Sequence, residues 1–212
     1  VERGHYEVET LIVDDTRKYF LDYIYKKYYP KIEKLKLIGI TGTKGKTTTC
    51  FLVYQMLRGL NKKVAYIGTI GFYYNDVKRK LNNTTPDTDL LYNMLLECVE
   101  NNIEYVVMEV SSHALDMDRI YGLKYDEVAF TNLTWDHLDY HKTIDNYADC
   151  KKRLFTKLRN EKIAIINNDD IYASRFILDI NKNILIGTHN IDDLIIKDIK
   201  LSPANTTFKF IY

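Results

Sequence analysis

Residues 37–49, LIGITGTKGKTTT, restrict what this chain can fold into more than any other stretch. Leu37, Ile38 and Ile40 predict a short apolar strand, Gly42 and Gly45 a tight turn, and the residues from Lys46 a helix through Leu57. A strand that turns on glycine into a helix start makes a cradle for polyphosphate. Glycine lets the backbone approach closely with its N–H groups turned inward, and the helix N-terminus adds partial positive charge. Lys46 adds a full charge, and Thr47 offers a hydroxyl to Mg²⁺. The general phosphate-loop spacing asks for glycine at position 40, where this chain has Ile40, so the motif here is the tighter GTKGKT. The alternative is an ordinary glycine-rich turn, which leaves the lysine and three threonines at the helix start without a reason.

Around that stretch the hydrophobic pattern alternates between strand and helix periods. Residues 8–13 are β-like, and Asp14, Asp15 and Thr16 supply an N-cap for a helix over 17–29. Phe20, Tyr23, Ile24 and Tyr28 give that helix an apolar stripe, and Pro30 ends it. A strand follows at 64–68, then a hairpin (69–74 and 77–81) turning on Asn75 and Asp76, and a helix from Thr88 or Asp89 to Glu100. Strands at 103–110 and 127–130, a helix at 143–158, a strand at 163–166, a helix at 170–179 and a strand at 184–186 come next. Two β segments, 194–201 and 206–212, close the chain. The expected fold is α/β: a mainly parallel sheet of phosphate-loop type, flanked by helices on both faces, with a small β extension. Residues 1–35 are too few to bury a core and read as the end of a preceding domain plus a linker, with the nucleotide domain over 36–212. The chain opens on Val rather than Met, as expected of an internal boundary in a longer protein.

Composition removes several function classes. Thirty basic and 29 acidic residues leave a net charge of +1, which gives no electrostatic footprint for nucleic acid or an anionic membrane. The tyrosines of residues 19–29 suit an amphipathic helix better than a base-stacking platform. Cys50, Cys98 and Cys150 form no CxxC pair and read as packed, reduced thiols; His5 and His189 read as surface residues. No signal peptide is visible, and no apolar run approaches the roughly 18 residues of a membrane span. A cytoplasmic location and a monomeric state are the expectations.

Four polar clusters fall where strand ends meet loops, the position at which open α/β sheets bind ligands: the glycine turn, NNTTPD, the end of VVMEVSSHAL, and TNLTWDHLDYH. Glu109 interrupts an apolar strand. Burying a carboxylate costs several kcal/mol unless it is paired or metal-bound, so Glu109 is either a metal ligand or a strand-end residue facing water. His137, among Asp136, Asp139 and His141, fits a salt-bridge cluster, a cap, a satisfied histidine or a metal ligand, although Mg²⁺ prefers oxygen. Lys151 has Ile144, Tyr147, Ala148, Leu154, Phe155 and Leu158 at helical spacings on either side, which centres it in the buried stripe. It either snorkels, pairs with phosphate, or, once desolvation frees its amine, adds CO₂ to become a carbamate.

TGTKGKTTT, NNTTPD, MEVSSHAL, FTNLTWDHLDYH and YADCKKRLF, in this order and spacing, resemble the central ATP-binding domain of the Mur ligases of peptidoglycan synthesis. Within that family the resemblance is to the branch that extends UDP-N-acetylmuramoyl-L-Ala-D-Glu by one amino acid. It implies ATP held by Gly42, Thr43, Lys44, Gly45, Lys46, Thr47 and Thr48, with Lys46 on the β/γ-phosphates, and two Mg²⁺ ions. Thr47 and Glu109 would take one ion; His137 and a carbamate on Lys151 would take the other. Asn83, Thr84, Thr85, Ser111 and Arg119 match positions that hold the UDP-muramoyl dipeptide, and His113 has no assigned role. The implied catalytic residues are Lys46, His137 and Lys151, and the implied chemistry is amide formation through an acyl phosphate. The incoming amino acid would be diaminopimelate or lysine. The resemblance spans 37–212, with 1–30 similar to the end of the family's UDP-binding domain, and Lys44 stands where the family commonly has Asn. The 212 residues alone are expected to have little ligase activity. Rival readings are a folylpolyglutamate synthetase-like ligase, which a folate-binding test separates, and a non-catalytic nucleotide-binding module, against which Glu109, His137 and Lys151 argue.

Overall fold

The computed structural model describes residues 10–179 and 182–212. Its strands are β1 (Lys36–Thr41), β2 (Val64–Gly68), β3 (Gly71–Tyr74), β4 (Val77–Arg79), β5 (Tyr105–Glu109), β6 (Tyr125–Phe130), β7 (Leu158–Asn167), β8 (Lys182–Gly187), β9 (Leu194–Leu201) and β10 (Thr206–Ile211). Its helices are α1 (Thr16–Ile32), α2 (Lys46–Gly59), α3 (Thr88–Glu100), α4 (Ser112–Asp116), α5 (Leu138–His141) and α6 (Ile144–Phe155). The strands form one sheet in the order β10-β9-β8-β7-β6-β1-β5-β2-β3-β4. Pairings from β2 across to β9 are parallel, and the antiparallel pairs β2–β3, β3–β4 and β9–β10 lie at the two ends.

The central strands are buried on both faces, and their alternation feeds two cores. Ile38, Ile40, Val64, Tyr66 and Val107 pack with Cys50 and Tyr54 of α2. Leu37, Ala65, Ile67, Val106 and Met108 join the larger core, which also takes in α3, α6 and the α1 residues Ile24 and Ile32. Register brings the loops together: Ile40 pairs with Glu109, Thr41 with Phe130, Ile67 with Met108 and Phe130 with Ile166. The segments that follow β1, β2, β5, β6 and β7 therefore meet at one edge of the sheet.

Several expectations are corrected. Pro30 lies inside α1 rather than ending it. A proline there removes a helical hydrogen bond, but burial of Ile32 and Leu35 just beyond it holds the last turn in place. Asp15 caps α1 by accepting from Lys18 N at 2.9 Å. The buried stripe of α1 is Leu21, Ile24 and Ile32, while Phe20 and Tyr23 are exposed, because α1 turns the former toward α3. Residues 10–13 form no strand; the remainder of the 8–13 segment, like His5, lies outside the described residues. The helix expected at 170–179 is a single 3₁₀ turn at Ala173–Phe176, whose Phe176 stacks on Phe130. Helix α6 stops at Phe155, and Leu158 opens β7 instead of extending the helix.

Candidate functional site

The glycine turn is shaped by what it presses against. Gly42 sits at φ +148°, and a Cβ there would lie 1.9 Å from Thr131 Oγ1. Gly45, at φ 82°, is left-handed and precedes the first turn of α2 without a side-chain cap, so that turn keeps its N–H groups for a ligand. The loop after β6 straps the turn down. Thr43 N donates to Asn132 O (2.8 Å), Lys44 N to Asn132 Oδ1 (2.9 Å) and Thr134 N to Thr43 Oγ1 (3.0 Å). Thr131 Oγ1 and Asn132 Nδ2 donate to Lys44 O at 2.7 and 3.0 Å. The amides of Thr43 and Lys44 thus face Asn132, and the inward-facing set narrows to the start of α2, with Thr48 exposed on that turn. A further tier supports the strap: Asn167 Nδ2 donates to Thr131 O (2.7 Å), and Leu133 N donates to Asp170 Oδ2 (2.7 Å).

Two lysines converge on one carbonyl. Lys46 Nζ donates to Gly42 O (2.9 Å) and Thr43 O (3.1 Å), and Lys151 Nζ donates to the same Gly42 O at 2.9 Å. Lys151 is 1% exposed and lies 4.3 Å from the centre of the Tyr147 ring. Burial pushes its pKa down to about 7, and the Lys46 charge acts in the same direction. Burial also lowers the pKa of Lys46, against the opposing pull of Glu109. No salt bridge to either lysine is present among the described residues, so an arriving anion would relieve their mutual repulsion.

Glu109 is fully buried, which resolves the choice between a buried and a water-facing carboxylate. Thr47 Oγ1 donates to its Oε2 at 2.8 Å, and Thr69 Oγ1 does so at 3.2 Å. Thr69 N (2.9 Å) and the Tyr66 hydroxyl donate to its Oε1. A threonine hydroxyl and a carboxylate oxygen this close are hard donors that suit Mg²⁺. His137 is in another neighbourhood. It has a left-handed backbone (φ 53°) and an exposed ring 5.0 Å from that of His113 and 6.1 Å from that of Tyr147. The ring of Tyr147 thus neighbours both His137 and Lys151. His141 is buried and within 2.9 Å of Ser112 Oγ. Burial lowers the pKa of His141 and of His113, with His113 acting further on His141 and His137 on His113. Among the described residues no three His, Cys, Asp or Glu side chains converge on one ion position.

The NNTTPD segment is tied to the end of β5. Thr85 is fully buried; its hydroxyl donates to Glu109 O (2.9 Å) and accepts from Ser111 N (3.1 Å). Ser111 caps α4 by accepting from Ala114 N at 3.2 Å. Arg119 donates to Thr85 O (3.0 Å) and pairs with Asp87 at 2.9 Å. Thr84 Oγ1 is 3.0 Å from Thr69 Oγ1, while Asn83 is exposed. Sequence reasoning missed Tyr66, Thr69, Asn132, Asn167 and Asp170. Tyr66 looks like one more buried strand residue, and the others sit in loops or, for Asn167, at the end of a strand, with partners distant in sequence. The one available signal was the position of Thr69, Asn132 and Asn167 at or just past strand ends.

A parallel sheet with this turn at its central strand, a buried lysine and a half-buried one behind it and a buried carboxylate beside it defines a nucleotide-binding α/β domain of the phosphate-loop class. The chain belongs to the Mur ligase middle domain family, whose model matches residues 40–212. It is 45% identical over 180 residues to UDP-N-acetylmuramoyl-L-alanyl-D-glutamate–2,6-diaminopimelate ligase 1 of Clostridium acetobutylicum, covering 84% of this chain and 37% of that protein. The corresponding ligase of Bacillus cereus is 40% identical over 197 residues, covering 90% of this chain and 40% of the relative. A solved structure of a UDP-N-acetylmuramoyl-L-alanyl-D-glutamate–2,6-diaminopimelate ligase superposes with a TM-score of 0.82 at 29% identity, covering 94% of this chain and 42% of that one. The chain thus spans about two fifths of the length of these relatives. No helix among the described residues is long and apolar enough to cross a membrane.

Proposed function

We propose that this chain is the ATP-binding part of a cytoplasmic, monomeric ligase that adds diaminopimelate to UDP-N-acetylmuramoyl-L-Ala-D-Glu. Family membership and the names of the relatives support that reading, and they favour diaminopimelate over lysine. The single observation that carries it in this chain is the Lys46–Gly42–Lys151 arrangement beside the Thr47–Glu109 pair: concentrated positive charge next to hard oxygen donors. A carboxylate must approach a triphosphate here, and charge neutralisation with fixed positions supplies most of the catalysis for such transfers.

In this reading ATP transfers its γ-phosphoryl group to the D-Glu γ-carboxylate, giving an acyl phosphate and ADP; the incoming amine then displaces phosphate, and bound Mg²⁺ would offset the charge. Lys46, which among the described residues donates to the loop carbonyls of Gly42 and Thr43, is the cation available to the β/γ-phosphates. Thr47 and Glu109 would hold one ion. With a pKa of about 7, Lys151 has a substantial share of free amine at neutral pH. That amine attacks CO₂, forms an N–C bond and releases a proton; the resulting carbamate, with His137, would serve the second ion. Asn83, Thr84, Thr85, Ser111 and Arg119 would position the UDP-muramoyl dipeptide, with Thr85 and Arg119 fixing the loop. Residues 1–35 are assigned to the end of the preceding UDP-binding domain and its linker, and 36–212 to the ATP-binding domain.

The test is product formation by the intact protein. ADP release should require both UDP-N-acetylmuramoyl-L-Ala-D-Glu and diaminopimelate. Lys151→Ala should lower turnover by about 100-fold or more and remove the carbamate signal seen by ¹³C NMR in labelled bicarbonate. Turnover with a folate substrate in place of the muramoyl peptide, or full activity of Lys151→Ala, would overturn the proposal.

A further inference from the structure

We infer that Tyr66, with Gly68 and Thr69, forms a clamp that orients Glu109 toward the nucleotide's metal ion, making Tyr66 a positioning residue for that ion. The inference rests on the reading of Glu109 as a metal ligand given above.

The division of Glu109's two oxygens is the starting point. Oε1 accepts from the Tyr66 hydroxyl and from Thr69 N at 2.9 Å, both donors on or just past β2. Oε2 accepts from hydroxyls alone, Thr47 Oγ1 at 2.8 Å and Thr69 Oγ1 at 3.2 Å, and Thr47 is the residue placed to share an ion with it. Hydroxyls can rotate to give up their hydrogen bonds to a carboxylate and offer a lone pair to a cation; a backbone N–H cannot. Oε2 is therefore the oxygen free to ligate, and Oε1 is the anchored one.

The Tyr66 hydroxyl is aimed with little freedom. The side chain is fully buried, and its ring is wedged among Phe51 (5.7 Å, edge-on), Tyr73 (5.8 Å) and Tyr54 (6.1 Å). An independent feature of the chain leaves room for the pair. A Cβ on Gly68 would lie 2.2 Å from Glu109 Oε1 and 2.3 Å from Tyr66 Oη, so only glycine fits between them. Parallel pairing of β2 with β5 sets this height, with Ile67 opposite Met108 one residue short of both Gly68 and Glu109. Groups that fix a metal ligand's orientation typically change metal affinity by about 10- to 100-fold when removed.

The test measures ATP binding to the full chain by calorimetry, with Mg²⁺ and with chelator. Tyr66→Phe keeps the ring and its packing while removing the hydroxyl. It should weaken the apparent affinity for Mg²⁺ in the presence of ATP by about 10-fold or more, and leave metal-free ATP binding within about 2-fold of the parent. Gly68→Ala should reproduce that split, and Tyr73→Phe, which touches the ring cluster but not Glu109, should not. Equal losses with and without metal would mark Tyr66 as merely structural and overturn the inference, as would unchanged Mg²⁺ affinity in Tyr66→Phe. Glu109→Gln separates the two levels of the argument. If it abolishes the Mg²⁺-dependent gain while Tyr66→Phe leaves Mg²⁺ affinity unchanged, the clamp alone is wrong; if it leaves the gain intact, the metal assignment and the clamp both fall.

Discussion

Lys151 carries an unusual cost for its position. Its amine is buried, contacts one carbonyl and one ring face, and lies near a second ammonium, so the protein holds it in a form that readily loses its proton. The unfolded chain keeps the ordinary lysine value of 10.5, so between about pH 7 and 10.5 the unfolded state binds more protons than the folded one. Stability from this residue therefore rises with pH across that window and is lost as pH falls toward 7. In CO₂-free buffer, urea unfolding should show the chain more stable at pH 9 than at pH 7, and Lys151→Met should flatten the difference. An unchanged slope in Lys151→Met would mean the amine is not desolvated. The burial of this residue was legible from helical spacing alone, because α6 is amphipathic and Lys151 sits mid-stripe. Of the partners of Glu109, only Thr47 was foreseen, through the family resemblance. That Tyr66 and Thr69 reach the carboxylate depends on the pairing of β2 with β5, which no local pattern encodes.

At the scale of elements, boundaries marked by caps and punctuation were readable and those set by packing were not. Thr143 caps α6, Asn75 turns the β3–β4 hairpin at φ 45°, and β2 and α3 fall where composition placed them. Pro30 and the 3₁₀ turn at Ala173–Phe176 go the other way, since burial of Ile32 and Phe176 decides those segments. The NNTTPD loop joins the two kinds. Its polar composition marks a loop, yet its position depends on the Thr85 hydroxyl bridging Glu109 O and Ser111 N. Thr85→Val keeps the shape, removes that bridge and leaves Ser111 N without its acceptor. Denaturant unfolding should show a loss of about 1–3 kcal/mol. A change below about 0.5 kcal/mol would mean that Arg119 alone suffices to hold the loop.

At the scale of the whole molecule, the alternation of strands and helices marks the fold class, but the strand order is set by long-range pairing that no local pattern encodes. Placing β1 between β5 and β6 puts the glycine turn beside both the Glu109 loop and the Asn132 strap. The sheet thereby builds the site from segments 24 to 109 residues apart in sequence, as the Thr85–Glu109 and Gly42–Lys151 contacts illustrate. The proposed function requires that assembly to be a nucleotide site with Lys46 as its principal phosphate contact. Calorimetric titration of ATP into the chain with Mg²⁺ tests it most directly, comparing the parent with Lys46→Met. The expected result is saturable one-to-one binding that Mg²⁺ strengthens and that Lys46→Met weakens by at least about 10-fold. Binding that ignores both Mg²⁺ and the Lys46 substitution would contradict it.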